Sequence, residues 1–310
     1  MGRITAFGPV RAPTIVIADV RHEPGARPAP PAIRPEEKRT LTTPTAAPDS
    51  YYQRTGEHSY KPTAHAQGAW HPDEQHFSPV GGLIAHAIDR HRADPAERPA
   101  DGLALARISY DILGLIALDE LEITVETVRP GRTIELVEAV ASVGGRAVVR
   151  ARAWFLAEQD TTAVAGTHDE RLPAPEEFEP WAMSGPWGGG YIASIDVRRR
   201  YTAPGRAAAW IATPLELVAG EPSSPHASFI ALVDTANGIA VRQEPTEWMF
   251  PNTDLTIHFH RRPDGPWTGL DTSVTFGPSG HGVTSTVLHD VHGPVGRAEQ
   301  ILTVRPLSGS

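Results

Sequence analysis

One order of elements occurs twice in this chain: a segment of helical period, followed by four long segments that alternate like strands. In the first copy GGLIAHAIDRH (81–91) sets Leu83, Ile84, Ala87 and Ile88 on one broad face, and its small residues permit close approach by a sheet. The extended segments LARISYDIL, LEITVETV, TIELVEAVASV and RAVVRARAWFLAE follow, with Gly144 and Gly145 forming a hairpin between the last two. In the second copy, prolines and serines at 222–225 precede HASFIALVDTAN, and Gly238 is the expected helix stop. DLTIHFHR, LDTSVTFG, GVTSTVLH and GRAEQILTV come next. LEITVETVRPG (121–131) and LTIHFHRRPDG (255–265) also share an outline. The order implies a duplicated α+β unit. A sheet curved around one helix buries one face, and two such sheets joined edge to edge hide their open edges.

The segments divide into a Pro-rich tail over 1–48, read as poorly ordered apart from TIVIADV, a first unit over 49–172, a linker over 173–195 and a second unit over 196–307. A net charge of −9 argues against nucleic acid as the main partner, because phosphate neutralisation needs clustered Lys and Arg. RRRY (198–201) and HRR (260–262) are too short to reverse that, though they suit a small phosphorylated ligand. The absence of cysteine removes disulfides, thiolate catalysis and Cys-type zinc sites. No membrane-spanning run or basic-apolar leader is visible, so the cytoplasm is the expected compartment. A GxSxG elbow and nucleotide-binding glycine loops are missing too.

Two polar residues point where apolar ones are expected. Gln300 alternates in phase with Ala298, Leu302 and Val304, and Asp234 continues the helical face of Ala227, Ile230 and Ala231. Burial raises a carboxylate's pKa and fits it to take a proton from water, while an amide can hold that water or donate to an oxyanion. Both residues also have a plain structural reading, as satisfied polar groups in a core or interface. Thr253 shares the parity of Leu255, Ile257 and Phe259 and so presents an inward hydroxyl, whereas Asn252 has the opposite parity unless a bulge intervenes. His258 and His260 alternate with Asp254 and Thr256 as a solvated face rather than a metal pair. His65, His71 and His76 flank the first helix together with Asp73, which fits either an entrance loop or a metal cluster. Trp70, Trp154, Trp181, Trp187 and Trp248 either narrow a tunnel or fill a core.

With these segments in view, the chain resembles the acyl-CoA thioesterase family with a double hotdog fold. Tyr60 and GAWHPDEQHFSPVGG carry the likeness in the first half, and ALVD, TDLTIHFHR and AEQILTVR in the second, over Tyr51 to Arg305. The resemblance implies hydrolysis of an acyl-CoA thioester to free acid and CoA, by a water held between Asp, Ser or Thr, and Gln. The Asp falls on Asp234, the Gln on Gln300 and the hydroxyl position on Asn252, with Thr253 beside it. A loop around Ser78 to Gly82 is the oxyanion candidate, with Gly81 and Gly82 allowing close approach of substrate to backbone amides. No metal or organic cofactor is required, and a homo-oligomer is expected. Two alternatives stand beside this reading. One is a non-catalytic acyl-CoA or lipid-binding double hotdog protein. The other is a hotdog enoyl-CoA hydratase, which needs a paired Asp and His; His226 and Asp234, eight residues apart on one helix, are too distant to serve.

Overall fold

The strands β1 (Ser50–Arg54) and β2 (Ser59–Pro62) lead into α1 (Phe77–Ala93), followed by β3 (Leu103–Ile112), β4 (Leu121–Arg129), β5 (Ile134–Val143) and β6 (Arg146–Ala157). A connecting segment holds β7 (Glu179–Pro180) and the single turn α2 (Gly190–Ala193). Then come β8 (Asp196–Ala203), β9 (Arg206–Ala212) and β10 (Glu216–Val218), before α3 (Pro225–Val233) and α4 (Ala236–Ile239). The chain ends with β11 (Trp248–Met249), β12 (Asp254–Phe259), β13 (Thr268–Phe276), β14 (His281–Asp290), β15 (Gly293–Thr303) and β16 (Arg305–Pro306). This computed structural model describes residues 49–94 and 102–307, so the tail expected over 1–48 lies outside the described residues.

Fourteen strands form one sheet in the order β10-β1-β2-β4-β5-β6-β3-β12-β15-β14-β13-β9-β8-β7. Read outward from the β3–β12 seam, the two sides repeat each other: β6, β5, β4, β2 and β1 on one side answer β15, β14, β13, β9 and β8 on the other. This is the expected α+β double hotdog with its two sheets joined into one. Ile108 pairs with Ile257 at the antiparallel seam, flanked by Tyr110 opposite Leu255, and all four side chains are buried. The hairpin at Gly144 and Gly145 is present, and both glycines have the positive φ that such a tight turn demands. The shared outline of LEITVETVRPG and LTIHFHRRPDG, by contrast, links strands that are not equivalent. The first is β4, whose counterpart is β13, and the second is β12, whose counterpart is β3.

α1 and α3 run antiparallel. The hydroxyls of Ser78, at the start of α1, and Thr235, just past the end of α3, lie 3.4 Å apart. At the other ends Ser224 Oγ donates to Asp89 Oδ2 at 2.6 Å and also caps α3, accepting from Ala227 N. α1 is buried without a break from Phe77 to Ile88, as a helix enclosed by sheet and a second helix must be. Each fully buried Leu or Ile there contributes about 1.5–3 kcal/mol.

Three expectations change. α1 starts at Phe77 rather than Gly81, because Pro79 is tolerated in a first turn where its missing N–H costs nothing. The small residues of α1 admit the other helix rather than a sheet: a Cβ on Gly82 would lie 2.5 Å from Ala231 Cβ and 2.9 Å from the Ala227 carbonyl. α3 ends at Asp234, its C-cap, and not at Gly238. Gly238 falls inside α4, where a Cβ would meet Met183 Cε at 2.7 Å.

Candidate active site

The antiparallel helices bring the first turn of α1 against the last turn of α3. A cavity of about 390 Å³ opens at that junction, walled by groups from both sides of the seam, among them His76, Phe77 and Ile112 from the first and Asp234, Asn237 and Asn252 from the second. The segment 173–195, read as a linker, packs firmly and adds Met183, Trp187 and Ile192 to the wall. Trp70 and Trp187 also line it, meeting edge to face with centroids 5.0 Å apart. Of the other tryptophans weighed, Trp181 stacks under Arg199 at 3.8 Å, and Trp154 and Trp248 are half-buried outside the wall.

Asp234 is 7% exposed. Its Oδ1 accepts from Gln300 Nε2 at 2.7 Å and from Asn252 Nδ2 at 2.8 Å. Oδ2 has no protein donor among the described residues and lies 3.8 Å from His76 Nδ1. Burial pushes the Asp234 carboxyl up to about 7, and the two amide donors pull the other way without winning. The negative end of α3 also disfavours a carboxylate at its C-cap.

Asp234 and Gln300 therefore touch directly rather than across an intervening water. Gln300 is 2% exposed and sits on β15 opposite Thr284. Asn252 joins them, and Thr253 does not. The register of β12 pairs Thr256 with Glu299, which if continued would set Thr253 opposite Leu302; Asn252 bridges to Leu302 instead. One extra residue is thus accommodated before β12, and that bulge reverses the parity on which Thr253 was expected inward. Asn252 Nδ2 secures the bulge through a second bond to the Asp254 carbonyl at 2.9 Å. Thr253 lies exposed on the rim.

Gly81 and Gly82 also move out of the expected role. Both lie in the helical body of α1 rather than in a loop, so their amides belong to the helix ladder and their bare Cα atoms serve packing. The amide left over at this end is one residue from the cap. Ser78 N–H is taken by His76 Nδ1 at 3.1 Å, Pro79 has none, and Phe77 N–H has no protein acceptor among the described residues.

His76 was read only as one of several loop histidines. As N-cap of α1 it must keep Nδ1 unprotonated to accept from Ser78, and burial lowers its pKa to about 3. Its ring stacks against Tyr191, whose hydroxyl bonds Thr235 Oγ1 at 2.6 Å. The available signal was Pro79, which a helix tolerates in its first turn and which therefore allows a start upstream of Gly81. Asn237, also missed, donates to the Phe250 carbonyl at 2.9 Å and leaves Oδ1 without a partner among the described residues at the cavity. His258 and His260 are exposed, as expected of a solvated face. Among the described residues no three His, Asp or Glu side chains converge as a metal site would require, and no helix is long and apolar enough to cross a membrane.

A helix-wrapping sheet duplicated about one seam, with a carboxylate and two amides at the meeting of its helices, defines a thioesterase-like double hotdog protein. The family described as acyl-CoA thioesterase N-terminal domain matches residues 66–156, and its C-terminal counterpart matches 169–304. The chain belongs to this family. Solved structures share the fold. A candidate thioesterase from Novosphingobium aromaticivorans is 18% identical with TM-score 0.63, covering 84% of this chain and 99% of its own. A protein of unknown function with a hot dog fold from Alicyclobacillus acidocaldarius is 13% identical with TM-score 0.65, covering 83% and 97%. An acyl-CoA thioesterase II from Mycobacterium marinum is 16% identical with TM-score 0.55, covering 84% and 96%. No curated protein sequence matches.

Proposed function

We propose that this protein hydrolyses acyl-CoA thioesters, with Asp234 as general base. The observation that carries the reading is the state of that carboxylate. It is buried at a cavity wall, held through Oδ1 by two amides, and left with Oδ2 free of protein donors among the described residues. A base near pH 7 suits proton transfer from water at neutral pH.

In the proposed cycle Oδ2 takes a proton from a water as its oxygen attacks the thioester carbon. The carbonyl oxygen becomes an oxyanion facing Phe77 N–H and the positive end of α1. Collapse of the tetrahedral intermediate breaks the C–S bond, and the departing thiolate recovers the proton from Asp234. Gln300 and Asn252 keep the carboxylate from rotating, and so contribute orientation. Asn252 stands where the family resemblance places a hydroxyl, and its amide does the positioning.

The test is thiol release from acyl-CoAs of several lengths by purified full-length protein. Turnover that disappears in Asp234→Asn supports the reading, and tight binding without turnover points to a binding protein. A second reading, water addition to an enoyl-CoA, draws on the approach of His76 to Asp234 across the seam. Hydration of an enoyl-CoA without thiol release favours it.

A further inference from the structure

Among the described residues one Lys or Arg side chain lines the cavity: Arg305. It is exposed, and its guanidinium meets Met249 Sδ at 3.7 Å but no carboxylate among the described residues. Pairing of β16 with β11, Met249 opposite Arg305, fixes its backbone at the rim. Five residue steps of almost continuous extended chain lead from Gln300 to Arg305, which is about 16 Å. A second cation stands at another part of the same rim. Gly114 lines the cavity, and Arg146 Nη2 lies 3.6 Å from where a Gly114 Cβ would be. Arg146 is also exposed and has no ion-pair partner among the described residues.

Guanidinium groups without an ion pair among the described residues, at an apolar opening, fit a ligand that is apolar inside and anionic outside. On a chain of net charge −9 they also offset a general repulsion of anions. The planar guanidinium fork matches phosphate oxygens in pairs. A thioester of CoA has this polarity, and its pantetheine arm is comparable in length to the stretch from Gln300 to Arg305.

We propose that Arg305, with Arg146 as a second cation, binds the phosphates of the CoA carrier at the cavity mouth. The inference rests on the thioester hydrolase reading and adds recognition of the carrier to it. Kinetics of the full-length protein on one acyl group presented as acyl-CoA, acyl-3′-dephospho-CoA and acyl-pantetheine test it. In Arg305→Gln the kcat/KM for acyl-CoA relative to acyl-pantetheine falls about tenfold, chiefly through KM, as loss of one charge-assisted bond requires. Arg146→Gln gives a smaller fall, and Arg132→Gln on the β4–β5 turn gives none. A loss confined to acyl-CoA assigns the contact to the 3′-phosphate, and a loss shared with the dephospho substrate assigns it to the diphosphate. An unchanged ratio in Arg305→Gln, with hydrolysis intact, overturns the proposal alone. Absence of thiol release from all three substrates with the wild-type protein overturns the hydrolase reading and this inference with it.

Discussion

Replacing Asp234 by Asn removes the proposed base while keeping an oxygen to accept from Gln300 and Asn252. The same substitution should stabilise the protein at neutral pH. In the unfolded chain the carboxyl titrates near its ordinary value of 3.8, and in the fold near 7. Between those values the native state holds more protons than the unfolded one, so Asp234 lowers stability as pH rises through that window. The full separation corresponds to about 4 kcal/mol, reached at and above pH 7. That figure already includes the two amide bonds, because they act on the ionised form. His76, His226 and His289 are depressed by burial and act oppositely over much of the same range, gaining stability as pH rises. They cancel when the variant is subtracted from the wild type. Urea unfolding of both proteins from about pH 4 to about pH 8 should show a gap near zero at the acid end that widens steeply towards neutrality. A gap that stays constant with pH would mean that Asp234 ionises like a solvated carboxylate, and the case for a base poised near neutrality would fall.

The kcat/KM of the wild-type protein should fall about tenfold per pH unit below pH 7, since only ionised Asp234 takes a proton; a flat acid limb in the rate profile contradicts this. Asn252→Ala and Gln300→Ala each remove a donor that lowers the Asp234 pKa, so the acid limb moves to higher pH and kcat drops about 10–100-fold; Thr253→Ala, on the exposed rim, leaves both unchanged. Gly82→Ala should cost about 1–3 kcal/mol in denaturant unfolding, because its Cβ meets helix backbone. Gly81→Ala, whose Cβ has 3.6 Å of clearance, should be neutral or stabilising by up to about 1 kcal/mol.

The fold was legible because period and order are local properties. Each long strand alternates, each helix repeats every three to four residues, and their repeated succession leaves few ways to bury the apolar faces. Gln300 and Asp234 stood out for the same reason, as polar groups in apolar phase. Asn252 was harder, because a bulge is an insertion into the ladder and shows only when the partner strand is present. His76 was hidden by the placement of the helix start, which Gly81 suggested and which the structure sets at Phe77. The packing of Trp187 and Met183 from 173–195 was not legible at all, since a run rich in Pro and Gly gives no period from which to read what it covers.

The seam has a further consequence for counting sites. Ile108 and Ile257, facing each other there, pair on their other flanks with Ala153 and Ala298. The β5–β6 and β14–β15 hairpins share one register, each with a two-residue turn and a bulge at the same step, so the residue that answers Gln300 in the opposite repeat is the fully buried Ala153. A methyl group offers no amide to a carboxylate, so the twin location lacks the partner that Gln300 supplies. The stoichiometry should be a single reactive centre per polypeptide, with one repeat supplying the reacting groups and its sibling acting as the wall against which they work.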